Sequence, residues 1–288
     1  MPTNIFRSLR QRMSDSLKEI SSPTDAVLLD QNYLTSFHRV PIERYFEGRV
    51  IFPHGEQVFS QPLIVLAFTN RSGSNLLAEF LRQTNLMSGF GEYLNRETVI
   101  KQSKQNKIRS FPDYLQFLGL KLTRDGQAFG VKASAEQLKI LSDWNIHRMF
   151  SQTYVVHIRR DDILRQAISH WIAWQTGQWT SLQPKRSVEL TFDGSKIMKI
   201  VSDVIEANNA IHIHCARQNL NYISVSYQEV IADPKAVVSR IFDFTELDIS
   251  NWNPVQPRLS KQSDGVNDVI LEKLLEYVNN VESNSEIF

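Results

Sequence analysis

Six consecutive apolar residues, Leu63-Ile64-Val65-Leu66-Ala67-Phe68, run straight into Thr69-Asn70-Arg71-Ser72-Gly73-Ser74-Asn75. Leu76-Leu77-Ala78-Glu79-Phe80-Leu81 follows with helical character. An uninterrupted apolar run of strand length is what a parallel strand covered on both faces requires. Further short strands are expected at residues 128–132, 154–158 and 222–226, with helices near 135–144, 161–176, 195–218 and 234–243. Strand and helix therefore alternate, which predicts an α/β fold: a single domain with a central parallel sheet flanked by crossover helices. We take residues 61–288 as that domain and residues 1–60 as an N-terminal extension, an amphipathic basic helix over 5–20 followed by an irregular segment. Lys101–Lys107 reads as an exposed, mobile loop, and residues 177–195 as another.

Composition narrows the function classes. A net charge of +1, from 32 basic and 31 acidic groups, excludes a chain-wide basic coat for nucleic acid. The single cysteine, Cys215, fits a reducing compartment. Apolar runs fall short of the roughly 20 residues that span a bilayer, and the N-terminus lacks a secretory apolar core. The chain thus reads as soluble and cytoplasmic. Its oligomeric state is left open, a homo-oligomer included.

A strand feeding a Ser/Gly loop and then a helix presents unpaired backbone N–H groups at the positive end of the helix dipole. Gly73 permits close backbone approach, Ser72, Ser74 and Asn75 add side-chain donors, and Arg71 adds charge. The loop suits a phosphate-like anion, although a simple capped helix start has the same outline. It is not a Walker loop: no Gly-Lys-Ser/Thr ends it. A second segment carries Arg159, Arg160 and, further along a helix, Ser169. Forked guanidinium donors and a hydroxyl there can grip one phosphate, while a salt bridge to Asp161 or Asp162 is the plainer role.

These two segments together resemble the sulfotransferase fold, and most closely the bacterial trehalose sulfotransferase family, across about residues 62–275. The resemblance implies a P-loop-like nucleotide architecture and 3′-phosphoadenosine 5′-phosphosulfate as co-substrate. Arg71, Ser72, Gly73, Ser74 and Asn75 then match the 5′-phosphosulfate loop, and Arg160 and Ser169 the 3′-phosphate pair. Tyr227 matches a tyrosine beside the adenine. Asn70 stands where the family has proline, and Gln228 where it has an acidic residue. Arg258 and Lys261 fall in a stretch resembling the family's closing loop.

The same resemblance makes Glu92 the general base, in Gly89-Phe90-Gly91-Glu92-Tyr93; without it, Glu92 reads as a surface residue in a glycine-flanked turn. Lys132 is the second catalytic candidate, for leaving-group charge or contact with the acceptor, with a structural salt bridge as its alternative. No metal is implied, and the seven histidines form no ligand motif. His212 and His214 read as structural or surface residues. Trp171 and Trp174, three apart, read as core, and Trp179 as an acceptor-side aromatic. The acceptor implied is a sugar or glycolipid hydroxyl. A nucleotide kinase or other phosphotransferase, and a non-catalytic nucleotide-binding protein, are the rival readings.

Overall fold

The six apolar residues form β1 (Leu63–Phe68), buried along its whole length. Its alternating side chains feed two cores. Leu63, Val65 and Ala67 pack on one side of the sheet, and Ile64, Leu66 and Phe68 on the other, as the two-residue strand period requires. The computed structural model describes residues 36–285 apart from 54, 56, 125, 181–182, 185, 250–251 and 259–264. The helix expected over residues 5–20, and Lys261, lie outside the described residues.

β1 is the centre of a five-stranded sheet in the order β2-β3-β1-β4-β5. The flanking strands are β2 (Met87–Gly91), β3 (Ala128–Ala133), β4 (Thr153–Arg159) and β5 (Asn221–Ser226), and every pairing is parallel. After β1 the chain moves out to β2, returns through β3, and then crosses to β4 on the other side. β1 therefore marks the switch point, where α/β sheets open a crevice beyond the carboxyl ends of their strands.

The expected helices are present: α5 (Ala135–Asp143), α6 (Ile163–Thr176), α7 (Gly194–Arg217) and α9 (Pro234–Thr245). They are joined by α1 (Arg39–Tyr45), α2 (Ser74–Gln83), α3 (Arg96–Asn106), α4 (Phe111–Leu122), α8 (Tyr227–Ala232) and α10 (Gly265–Ser285). α3 corrects the sequence reading of residues 101–107. Val99 and Ser103, four residues apart, are buried as a narrow inner stripe, and Lys and Gln residues decorate the rest. A polar surface with two inward anchors is enough for a helix when tertiary packing supplies the partner.

Ile42, Phe46, Val50 and Phe52 belong to the same core as Leu63 and Val65. A third cluster joins α6, α7 and α10 through Trp171, Ile197, Val204 and Leu274. Trp171 and Trp174 stack 5.0 Å apart within it. Cys215 is buried, and burial pushes its thiol up to about 12. Among the described residues, no helix is long and apolar enough to cross a membrane.

Candidate active site

Each strand delivers something at its carboxyl end. β1 leads into the 69–75 loop, β2 into Glu92, β3 carries Lys132, β4 ends beside Arg160, and β5 leads into Tyr227.

The loop is shaped by two left-handed residues, Arg71 (φ 64°) and Gly73 (φ 92°). Gly73 is the N-cap of α2, whose start has no side-chain cap and no acidic residue in its first turn. Ser72 is fully buried, and its hydroxyl has no hydrogen-bond partner among the described residues. A glycine is needed at 73 because a Cβ there would lie 2.4 Å from Tyr227 Cδ2. Buried Gln166 pins the loop's first residues, its Nε2 donating to Thr69 Oγ1 at 2.9 Å and to the Asn70 carbonyl at 2.7 Å.

Arg71 Nε donates to Ser169 Oγ at 2.9 Å, and Nη1 donates to the Trp179 carbonyl. The loop arginine and the α6 serine, read from sequence as members of two separate grips, are thus directly joined. Arg160 lies over the Tyr227 ring, 5.1 Å from its centroid, and its Nε is buried without a hydrogen-bond partner among the described residues. Arg159 instead donates to Ser224 Oγ at 2.9 Å. Burial, and then the charge of Arg160, pull the Arg71 guanidinium down to about 10. Two mutually repelling cations with buried, unsatisfied donors around them form a wall that an anion would stabilise.

Lys132 is almost completely buried, yet its ammonium has three contacts. Nζ donates to Asn75 Oδ1 and to Glu92 Oε1, both at 2.8 Å, and sits 4.4 Å from the Phe68 ring centroid. Burial lowers Lys132 below its ordinary value despite Glu92's opposing pull. Burial raises Glu92, but the charge and hydrogen bond of Lys132, with help from Asn95 and His38, hold the carboxyl below the usual carboxylate range. Glu92 is therefore ionised at neutral pH and can accept a proton.

A strand irregularity brings Glu92 to this position. β2 pairs Gly89 with Gly130 and then Gly91 with Val131, skipping Phe90. One step further along each strand stand Glu92 and Lys132, so the bulge sets their encounter. The β2 strand itself escaped the sequence reading, because Met87-Ser88-Gly89-Phe90-Gly91 has neither an apolar run nor β-branched residues.

Gln228, at the position departing from the family pattern, accepts from the Asp161 backbone N–H at 3.1 Å. Trp179 presents its ring to His170, 5.5 Å away. His214 bonds Ser142 at 2.9 Å, and His212 packs edge-on against Tyr222. Arg258 binds Glu79 through its backbone N–H at 2.7 Å.

Sequence reasoning gave no role to Asn95, Gln137 or His38, which line a cleft with Glu92, Phe68 and Asn70. For Gln137 a signal existed: Ser134-Ala-Glu-Gln137 is a capping box at the start of α5. Among the described residues, no group of three or more His, Cys, Asp or Glu could hold a metal.

The model of the Stf0 sulphotransferase family matches residues 105–274, more than half of the chain. The chain belongs to the Stf0 sulphotransferase family. The match includes Lys132, Arg160, Ser169 and Tyr227; the 69–75 loop and Glu92 precede it. Trehalose 2-sulfotransferase of Mycobacterium tuberculosis is 27% identical over 89 residues, which are 31% of this chain and 33% of that protein, so the match spans about a third of the relative's length. The sulfotransferase domain of the Synechococcus PCC 7002 olefin synthase aligns at 16% identity and a TM-score of 0.49, covering 69% of this chain and 77% of that one. Sulfotransferase STF9 of Mycobacterium avium aligns at 15% identity and a TM-score of 0.45, covering 80% and 76%.

Proposed function

We propose that the chain transfers a sulfuryl group from 3′-phosphoadenosine 5′-phosphosulfate to a hydroxyl of a carbohydrate or glycolipid, by direct in-line displacement with Glu92 as general base. The observation that carries this reading is the Lys132 ammonium, bonded at once to Asn75 of the anion loop and to the Glu92 carboxylate. Donor loop and base thereby share one buried cation. Membership of the Stf0 family supports the activity, and similarity to a trehalose 2-sulfotransferase supports a sugar acceptor.

The residues present fit the donor. Arg71, Ser72, Gly73, Ser74 and Asn75 would hold its 5′ end, where the buried Ser72 Oγ has no hydrogen-bond partner among the described residues. Arg160 and Ser169 would hold the 3′-phosphate, and Tyr227, against Gly73 and beneath Arg160, would border the base. When bound, the donor supplies an electrophilic sulfur whose leaving group is adenosine 3′,5′-bisphosphate.

Glu92 receives the acceptor's proton as the acceptor oxygen forms its bond to sulfur. The sulfur–oxygen bond to the 5′-phosphate breaks in the same displacement. Lys132 and the N–H groups at the start of α2 take up the charge left on that oxygen. The loop and the buried lysine hold these groups in place beforehand, so orientation contributes alongside electrostatics.

The test is transfer of labelled sulfate from donor to a panel of sugars and glycolipids, with and without chelator. Glu92→Gln should keep adenosine 3′,5′-bisphosphate binding while turnover falls about 10²–10⁴-fold. Undiminished turnover would sink the base, and donor binding without transfer to any acceptor would favour the non-catalytic reading.

A further inference from the structure

We propose that Asn95 and Gln137 are positioning residues for Glu92, forming a relay that fixes its carboxylate toward the acceptor cleft. The inference rests on Glu92 acting as the base.

The two carboxylate oxygens are held separately. Oε1 accepts from Lys132, and Oε2 accepts from Asn95 Nδ2 at 3.2 Å. Asn95 is in turn oriented by Gln137, whose Nε2 donates to Asn95 Oδ1 at 2.8 Å. That bond commits the Asn95 amide nitrogen to Glu92. Gln137 is itself fixed, because its Oε1 accepts from the Ser134 backbone N–H at 2.9 Å in the capping box of α5. Only Ala133 separates Lys132 from Ser134, so both arms holding Glu92 hang from one strand-to-helix junction.

Asn95 occupies a place where its side chain ordinarily does something else. It is the N-cap of α3, where asparagine usually accepts from a backbone N–H of the first turn. Here that side-chain cap is absent. His38 Nδ1 instead accepts from the Arg96 backbone N–H at 3.2 Å. With a histidine serving the helix start, the asparagine is turned onto Glu92 and Gln137. A helix that forgoes its own cap in favour of a half-exposed carboxylate marks that carboxylate as the group being served.

The charged and titratable groups facing Glu92 are Lys132 from β3 and His38 from before α1, with Arg82 of α2 acting on Lys132. Asn95 is neutral, so its replacement by alanine changes hydrogen bonding without changing net charge. Losing a hydrogen bond to the charged form should raise the carboxyl's pKa.

The experiment measures kcat against pH, and adenosine 3′,5′-bisphosphate affinity, for Asn95→Ala, Asn95→Asp, Gln137→Leu and Asn95→Ala/Gln137→Leu. Asn95→Ala should lower kcat about tenfold with donor affinity unchanged, and move the acid limb up by about half a unit to one unit. Asn95→Asp keeps the shape but adds a like charge, so its acid limb should move further up; it also serves if the alanine variant does not fold. Gln137→Leu should show part of the Asn95→Ala effect, and the double variant no more than Asn95→Ala alone. An unmoved acid limb in the Asn95 variants, with Glu92→Gln inactive, overturns the relay alone. An active Glu92→Gln overturns the base assignment instead.

Discussion

Gly73→Ala separates two costs that the structure places on one residue. The first is conformational. Residue 73 sits at φ 92°, in the left-handed region, where an L side chain costs about 1–2 kcal/mol. The second is steric, because the new Cβ would approach Tyr227 Cδ2 to 2.4 Å and Cγ to 3.2 Å. Tyr227 cannot swing away cheaply: Arg160 covers its ring, and Ser226 and Glu229 lock the start of α8 in a capping box. Overpacking of this kind costs about 1–3 kcal/mol. Together these give about 2–5 kcal/mol, a fall in Tm of about 5–15 °C for a domain of this size. The 69–75 loop would be distorted at the same point, so on the proposed donor site adenosine 3′,5′-bisphosphate binding should weaken as well. Calorimetric unfolding and titration calorimetry measure both effects. Gly73→Ala/Tyr227→Ala should recover the Tm lost to overpacking, relative to Tyr227→Ala, but not the conformational part. A Gly73→Ala protein with wild-type Tm and wild-type ligand affinity would refute the argument.

Further outcomes follow from the same geometry. Lys132→Met keeps the volume and removes the charge; labelled-donor turnover should fall about 10²–10³-fold, with the acid limb of kcat moving up as Glu92 loses its cation. Wild-type turnover would remove Lys132 from the chemistry. Arg160→Ala should weaken adenosine 3′,5′-bisphosphate far more than adenosine 5′-monophosphate in the same titration; equal losses would dissociate Arg160 from the 3′-phosphate. His157 and His170 are buried, and burial pulls both from the usual 6.5 down to about 4. The unfolded chain therefore binds protons that the native state refuses, so stability is complete above pH 6.5 and falls as pH drops toward 4. Each histidine contributes a slope of about 1.4 kcal/mol per pH unit within that window. Urea unfolding of His170→Leu should show a shallower pH dependence between 6 and 5 by about one histidine's slope; an unchanged slope counts against its neutral burial.

Much of the architecture was legible along the chain because its signals are local. Leu63–Phe68 is apolar at every position, which leaves no exposed face and so dictates a central strand. Pro234 after Asp233 marks a helix start by rules that need only neighbouring residues. Where those signals fail, the physical reason is visible. Met87–Gly91 is held as a strand by its pairing with β3 and by Phe90 packed over Gly130, not by its own propensity. Residues 101–106 are helical because Val99 and Ser103 find a buried partner surface that no local pattern reveals.

The sequence by itself determined the parallel α/β sheet and the strand–loop–helix unit at its centre, because a strand–Ser/Gly–helix segment carries its signals in consecutive residues. Arg160 and Ser169 were nameable from their segment, and Glu92 only through the family resemblance; the companions of all three were not. Only the tertiary structure decided that Ser169 meets Arg71, that Arg160 lies on Tyr227, and that a one-residue bulge sets Glu92 beside Lys132. These pairings join residues from 40 to 98 positions apart. Strand order and register fix such distances, and they are properties of the assembled sheet.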